Sequence, residues 1–139
     1  RAFGPAGQRV LIRMAIEARD TDPTAGAVIQ TAFNICGGGE RNLARAAGRA
    51  WGLAGLLRAE PFWRARGRSF LPPGASLEEV RQRAREAYET ARAYKMRAEL
   101  YPAYGYVALV PGYLRAPDKA APLFARQVKL VAAAATGRI

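Results

Sequence analysis

The stretch SLEEVRQRAREAYETARAYKMRAEL, residues 76–100, carries the clearest structural signal in this chain. Ser76, followed three residues later by Glu79, forms a capping box, in which each side chain binds the other residue's backbone N–H at a helix start. Pro102 bounds the stretch on its far side, because the residue before a proline avoids the helical conformation. The pattern predicts a long helix over residues 77–100.

Two faces of this predicted helix differ in composition, since side chains three and four positions apart share a face. One face is rich in alanine and predicts close approach by another helix; we expect Ala84, Ala87 and Ala91 to pack subunits together. The second face is a cationic stripe around Tyr88 that could track a phosphate backbone. A solvated face with ordinary ion pairs is the alternative. The cations of the stripe are Arg81, Arg85, Arg92 and Lys95.

The rest of the chain also has its apolar residues at helical spacing, without the β-branched runs typical of strands. Pro72-Pro73-Gly74 is a break that could divide the chain into halves, 1–71 and 75–139. Further helical segments are predicted at 6–19, 23–36, 40–59, 100–114 with an interruption at Pro111-Gly112, and 118–135, with a turn or helix start at Glu60-Pro61. The prediction is an all-α fold: a single helical-bundle domain of about five to six helices over residues 1–139.

Three glycines, Gly48, Gly52 and Gly55, lie inside the predicted helix 40–59. Each costs roughly 1 kcal/mol relative to alanine, so a compensating contact is expected. A close helix crossing or close approach of a nucleic-acid strand would supply it, and we assign all three to subunit packing. A neighbouring face of this helix carries an arginine every four residues.

The charge balance indicates the class of partner. The chain of 139 residues has 22 basic and 11 acidic residues, a net charge of +11, and only three of its cations are lysines. Such a field favours nucleic acid, anionic lipid or an acidic protein, and arginine binds phosphate in a bidentate manner. A GC-rich genome would also favour arginine. The residues expected to bind nucleic acid are Arg9, Arg13, Arg41, Arg45, Arg49, Arg64, Arg66, Arg68, Arg81, Arg85, Arg92 and Lys95.

The segment 62–70 interleaves aromatic residues with several of these arginines. Its aromatic rings could stack on bases or plug a neighbouring subunit. The alternative is a basic loop with Phe62 and Phe70 folded into the core. The tyrosine-rich stretch Tyr101–Tyr113 is expected in the core or a subunit interface, with peripheral lipid contact as the alternative.

The residue types also exclude several functions. The chain has no histidine, and Cys36 is its only cysteine, so disulfides, zinc sites and histidine-based nucleophile pairs are excluded. Gly37-Gly38-Gly39 matches no nucleotide-binding fingerprint. No stretch of 18 apolar residues exists, so no ordinary transmembrane helix is predicted. We therefore expect no enzyme activity, no metal and no cofactor.

In outline the chain resembles the major capsid proteins of filamentous and rod-shaped viruses of hyperthermophilic archaea. The resemblance rests on length, arginine-bearing helices and a C-terminal pair of hydrophobic helices, from Tyr101-Pro102-Ala103-Tyr104-Gly105-Tyr106 through Ala116-Pro117-Asp118 to Ala135-Thr136-Gly137. It implies that N-terminal helices grip double-stranded DNA and that C-terminal helices form an outer wall, outside which some of these viruses carry a lipid envelope. Scarce Asn, Gln, Met and Cys are consistent with life at high temperature.

The leading hypothesis is a structural nucleoprotein that packages double-stranded DNA non-specifically within a helical assembly such as a virion. It would associate with itself or with a related paralogous subunit. The alternative is an intracellular, soluble accessory subunit that docks on a large membrane or ribonucleoprotein complex. A sequence-specific regulator would need the 23–36/40–59 pair as its helix–turn–helix, and the glycines of the second helix suit base readout poorly.

Overall fold

The computed structural model describes residues 31–32, 41–71, 74–95, 97–119 and 121–139. The predicted helix 6–19, with Arg9 and Arg13, lies outside the described residues, as does 23–36 apart from helical residues 31–32. All regular structure in the described part is helical, which confirms the all-α prediction. Its helices are α1 (Arg41–Arg64), α2 (Leu77–Arg92), α3 (Tyr101–Tyr104), α4 (Val110–Arg115) and α5 (Leu123–Thr136), with 3₁₀ helices at Ala98–Leu100 and Gly105–Leu109. Four of them have six or more residues, against the five to six predicted for the whole chain.

Helix α1 is longer than predicted. It continues through Pro61, where a turn or a new helix start was expected, and ends at Arg64. A proline inside a helix removes one backbone hydrogen bond. Here that loss falls in the last turn, which the buried Leu57 and Glu60 hold against the core. The chain leaves the helix at Gly67, whose positive φ of 66° suits a residue without a side chain.

Helix α2 starts as predicted and ends earlier than predicted. The capping box is present: the Ser76 N–H donates to the Glu79 carboxylate at 2.9 Å, and the Glu79 N–H donates to the Ser76 hydroxyl at 3.1 Å. The helix ends at Arg92 instead of residue 100. The prediction of a continuous helix is wrong because the chain turns back there and buries Leu100 and Tyr104 on the α1–α2 pair.

Helices α1 and α2 form an antiparallel pair, the most extensively packed pair of the described part. Small side chains let the two backbones approach closely. Ala84, Ala87 and Ala91 of α2 are 0%, 6% and 0% exposed, and Ala47 and Ala50 of α1 are fully buried. The assignment of the α2 alanines to subunit packing is therefore wrong, because they pack inside the chain.

The segment 98–115 covers this pair and adds the larger core side chains. Val107 and Val110 are fully buried, and Trp51 of α1 meets the edges of the Tyr106 and Tyr113 rings at centroid distances of 4.6 and 5.9 Å. Pro111 lies in the first turn of α4, where its missing N–H costs no helical bond, so it does not interrupt the segment. Residues before and after the break at 72–74 share this core.

Helix α5 begins at Leu123 rather than near Asp118. Pro122 precedes the helix with an extended ψ of 144°, and Gly137 ends it in the left-handed conformation, as its position after the predicted helix indicated. The helix packs against the 3₁₀ segment Gly105–Leu109, and the Tyr101 hydroxyl donates a hydrogen bond to the Leu130 carbonyl. Only one of its faces is covered.

Candidate nucleic-acid interface

An open groove of about 290 Å³ runs between the N-terminal half of α1 and the C-terminal end of α2. The alanines between α1 and α2 determine where the groove lies. Because they let the two helix backbones approach closely, the longer side chains of both helices lie along the edge of the contact. Its lining residues are Asn42, Arg45, Ala46, Arg49, Ala87, Thr90 and Tyr94. The lining therefore holds two guanidinium groups, an amide and two hydroxyls, and it contains no acidic side chain.

The two arginines of the groove lie one helical turn apart, about 6 Å along the axis at 1.5 Å per residue. Arg45 is exposed and Arg49 is half-buried. No described carboxylate lies within ion-pair distance of Arg45. The Thr90 hydroxyl donates to the Glu86 carbonyl at 2.9 Å, which leaves its oxygen as an acceptor. Such a set can hold one anionic group by charge-assisted hydrogen bonds and an adjoining hydroxyl by the threonine oxygen.

The volume of the groove limits what it can hold. Pockets for drug-sized ligands span about 300–1,000 Å³ and bury most of the ligand. This groove is at the lower edge of that range and open to solvent. It suits a phosphate with part of its sugar, presented by a larger molecule that lies outside.

The predicted cationic stripe on α2 is not continuous. Arg81 forms an ion pair with Glu78, and Arg92 lies 3.6 Å from the Glu89 carboxylate. Tyr88 is only 8% exposed, and burial raises the pKa of its hydroxyl, with Arg92 lowering that pKa and Glu89 raising it. Arg85 donates to the Gln82 side chain at 3.1 Å. Lys95 lies beyond the helix end, so the helical spacing that joined it to the stripe does not apply.

The basic segment at the end of α1 and just after it is partly neutralised within the chain. Arg64 binds the buried Glu60 carboxylate at 2.7 Å. Arg66 donates to the Phe62 carbonyl at 3.1 Å, and its guanidinium carbon lies 3.5 Å from the centroid of the Phe62 ring. Phe62 is 53% exposed, so the alternative that folded it into the core is wrong, whereas Phe70 is partly buried against the core. Arg68 is exposed.

The glycines of α1 have three different environments. Gly48 is buried, Gly52 is half-buried and Gly55 is exposed. A Cβ added at Gly55 would meet no atom within 4 Å. Gly48 lies in the contact between α1 and α2, so its assignment to subunit packing is wrong. At Gly55 no described residue lies close enough to require a glycine.

The tyrosine-rich stretch lies largely in the core. Tyr104 and Tyr113 are 0% and 4% exposed, and Tyr106 packs on Trp51. This burial agrees with the expectation that the stretch lies in the core, and the alternative of lipid contact through Tyr101–Tyr113 stays a prediction. In the parts of the chain that the structure describes, no helix combines the length and apolar character needed to cross a membrane.

Sequence reasoning missed several features of the surface. Asn42, Thr90 and Tyr94 join the groove, and Arg58 lies 4.3 Å from the centroid of the Tyr113 ring. By their spacing, residues 42, 45 and 49 share one face of α1, and residues 87, 90 and 94 share one face near the end of α2. The sequence therefore indicated each of the two faces separately. Nothing in the sequence showed that these two faces meet. The exposed apolar side chains of α5 were also missed.

The resemblance to capsid proteins of archaeal viruses stays a prediction. Comparison with protein-family models, curated proteins and solved structures found no match to this chain.

Proposed function

We propose that this protein is a structural nucleoprotein that binds double-stranded DNA without reading its sequence and packages it within a helical assembly such as a filamentous virion. The observation that carries the proposal is the groove in which Arg45 and Arg49 lie beside neutral hydrogen-bonding groups, with no carboxylate in the lining.

The distribution of acidic residues supports α1 as the main DNA-binding element. Residues 41–59 contain four arginines and no acidic residue, whereas α2 carries four glutamates within its 16 residues. Carboxylates on α2 already hold Arg81 and Arg92, so binding a phosphate there has to compete with an existing ion pair. Within residues 41–59 the helix carries no carboxylate of its own, and no described carboxylate lies within ion-pair distance of Arg45.

Binding without sequence readout follows from the same geometry. Phosphates project from the duplex and meet guanidinium groups held at the rim of a groove. Base edges lie inside the DNA grooves, which are read by an inserted helix or a β-ribbon. Arg45 and Arg49 lie between two packed helices rather than on one that stands free, so they suit the phosphate backbone.

A second candidate function is supported by α5. Its outward face leaves Phe124 and Val131 75% and 68% exposed. A surface of this kind favours docking on a larger assembly, so the protein could be an accessory subunit of a membrane or ribonucleoprotein complex.

Binding to random-sequence duplex DNA across a series of salt concentrations, with negative-stain imaging of the mixtures, tests the main proposal. We expect steep salt dependence and filaments. The slope of log K against log salt is about −0.9 per phosphate contacted, so the double variant Arg45→Gln/Arg49→Gln should lower its magnitude by about 2. Arg45→Lys/Arg49→Lys should restore most of the slope, because it restores the charge.

A matched control removes two charges elsewhere. Arg81→Gln/Arg92→Gln changes the net charge by the same amount, but its arginines are already ion-paired, so a smaller loss of affinity is expected. Equal losses for the two double variants would show that net charge alone controls binding and that the groove has no special part. Absence of DNA binding at low salt would favour the accessory-subunit function.

A further inference from the structure

Helix α5 presents a broad apolar surface to solvent. Successive side chains lie about 100° apart around a helix. In projection down the axis of α5, an arc of about 200° runs from Leu123 to Ala125 and includes side chains from every turn of the helix. All nine side chains in that arc are exposed, and Gln127 is the only polar one. The large ones are Leu123, Phe124, Val128 and Val131, at 67%, 75%, 50% and 68% exposure.

The charges near this arc are mainly positive. Residues 118–139 contain four cations and one acidic residue, Asp118. Arg126 and Lys129 lie on the inner half of the helix circumference, outside the arc, whereas Lys119 precedes the helix and Arg138 follows it. A partner that covers the arc therefore meets mainly positive charge around it, which favours a partner with negative groups beside an apolar layer.

The width of the arc favours one kind of occupant. A helix that packs on protein usually buries a stripe about 100° wide. A helix that lies in a bilayer interface sinks its whole apolar side among the acyl chains, with cations at headgroup level. A second copy of this chain would bring its own Lys119 and Arg138 to the contact, and like charges facing each other weaken association.

We propose that α5 docks this protein on the surface of an anionic lipid bilayer, lying in the interface with its apolar arc buried among the acyl chains. Lys119 and Arg138 contact lipid phosphates at the two ends. The helix is about 21 Å long at 1.5 Å per residue and lies parallel to the surface. This surface shares no residue with the groove, so the proposal does not depend on DNA binding.

Co-sedimentation with vesicles tests it on the full chain. The vesicles are phosphatidylcholine alone, or phosphatidylcholine with about one third phosphatidylglycerol. Phe124→Gln/Val128→Gln/Val131→Gln keeps the charge of +11 and should lower the partition coefficient on anionic vesicles at least tenfold. The control Phe62→Gln/Trp63→Gln removes exposed aromatic residues of α1 and should leave partitioning within twofold. Lys119→Gln/Arg138→Gln should lower partitioning several-fold, and added salt should diminish that effect.

Fluorescence of the variant Phe124→Trp gives a second measurement, compared with the unsubstituted chain. We expect a blue shift of its emission on anionic vesicles. Unchanged partitioning of the triple variant would overturn the proposal, because the net charge would then account for binding. Emission from the introduced tryptophan that is already blue-shifted without lipid would also overturn it, since protein would cover the face. If sedimentation then showed a dimer that the triple variant dissociates, the occupant would be a second copy.

Discussion

At the scale of single residues, the arginines of this chain are not equivalent. Arg45 lies open in a groove, Arg64 is held by the buried Glu60, and the guanidinium of Arg58 covers the Tyr113 ring. A guanidinium that already has a carboxylate or an aromatic partner has to give up that interaction before it binds a phosphate. The net charge therefore overstates the number of cations that are ready to bind DNA.

Tyr106 is a residue whose burial has a measurable pH dependence. Burial raises the pKa of its hydroxyl above 10.0, because the charged phenolate loses hydration in the folded protein. The contribution to stability is therefore fully present below about pH 10 and is lost as the pH rises through the higher pKa of the folded state. Tyr106→Phe keeps the ring on Trp51, so we expect the variant to lose less stability than the unsubstituted protein above about pH 10.

Urea unfolding midpoints over a pH series from about 8 to 12 measure this difference. The two proteins should have similar midpoints at the lower end and diverge at the upper end. Parallel midpoint curves throughout the series would contradict the assignment of alkaline instability to this hydroxyl.

At the scale of elements, one glycine lies beneath a contact between α5 and the rest of the chain. A Cβ at Gly105 would overlap the ring of Tyr101, whose hydroxyl binds the Leu130 carbonyl of α5. The ring lies directly on the backbone there, so the position requires a residue without a side chain. This contact, together with the packing of α5 on Gly105–Leu109, holds the helix against the rest of the chain.

Gly105→Ala should destabilise the protein by about 1–3 kcal/mol, the usual cost of forcing an extra methyl group into a packed site. Gly55→Ala is the matched control: the same substitution at an exposed helical position with open space should stabilise the protein by about 0.5–1 kcal/mol. Denaturant unfolding of both variants, with unchanged m-values, measures the two effects. Destabilisation by Gly55→Ala would mean that this position has a contact that the described residues do not show.

At the scale of the whole molecule, packing inside the chain uses most of the small residues that the sequence offered for assembly. Ala84, Ala87, Ala91 and Gly48 are buried between α1 and α2. Gly55 is the exposed exception among the six predicted packing residues, and inside a helix it costs about 1 kcal/mol relative to alanine. A contact with a neighbouring subunit would offset that cost.

Gly55→Leu should therefore leave DNA affinity within about twofold and abolish filaments, because a large side chain would separate subunits that touch at this helix. Negative-stain imaging of protein–DNA mixtures, with affinity measured in parallel, checks both effects. Ala98→Leu is the control, since it also introduces a leucine at an exposed position, outside the predicted binding and packing residues, and should leave filaments intact. Normal filaments from Gly55→Leu would remove Gly55 from the assembly contact.

The sequence by itself determined the features that depend on neighbours along the chain. The all-α class follows from apolar spacing, the start of α2 from Ser76 and Glu79, and the end of α5 from Gly137, because hydrogen bonds and backbone preferences act within a few residues. The cationic character of α1 is also local, since the run of residues 41–59 without an acidic side chain can be read directly.

Only the tertiary structure decided which surfaces meet and which stay open. It ended α2 at Arg92, turned Tyr88 inward, brought Arg45 and Arg49 beside Thr90, and left the outer face of α5 uncovered. Each of these outcomes depends on contacts between residues far apart in the chain, whose competing free energies cannot be read from spacing on one helix. The alanine pattern of α2 is compatible with a partner helix in the same chain or in another subunit. In this structure the partner helix is α1 of the same chain.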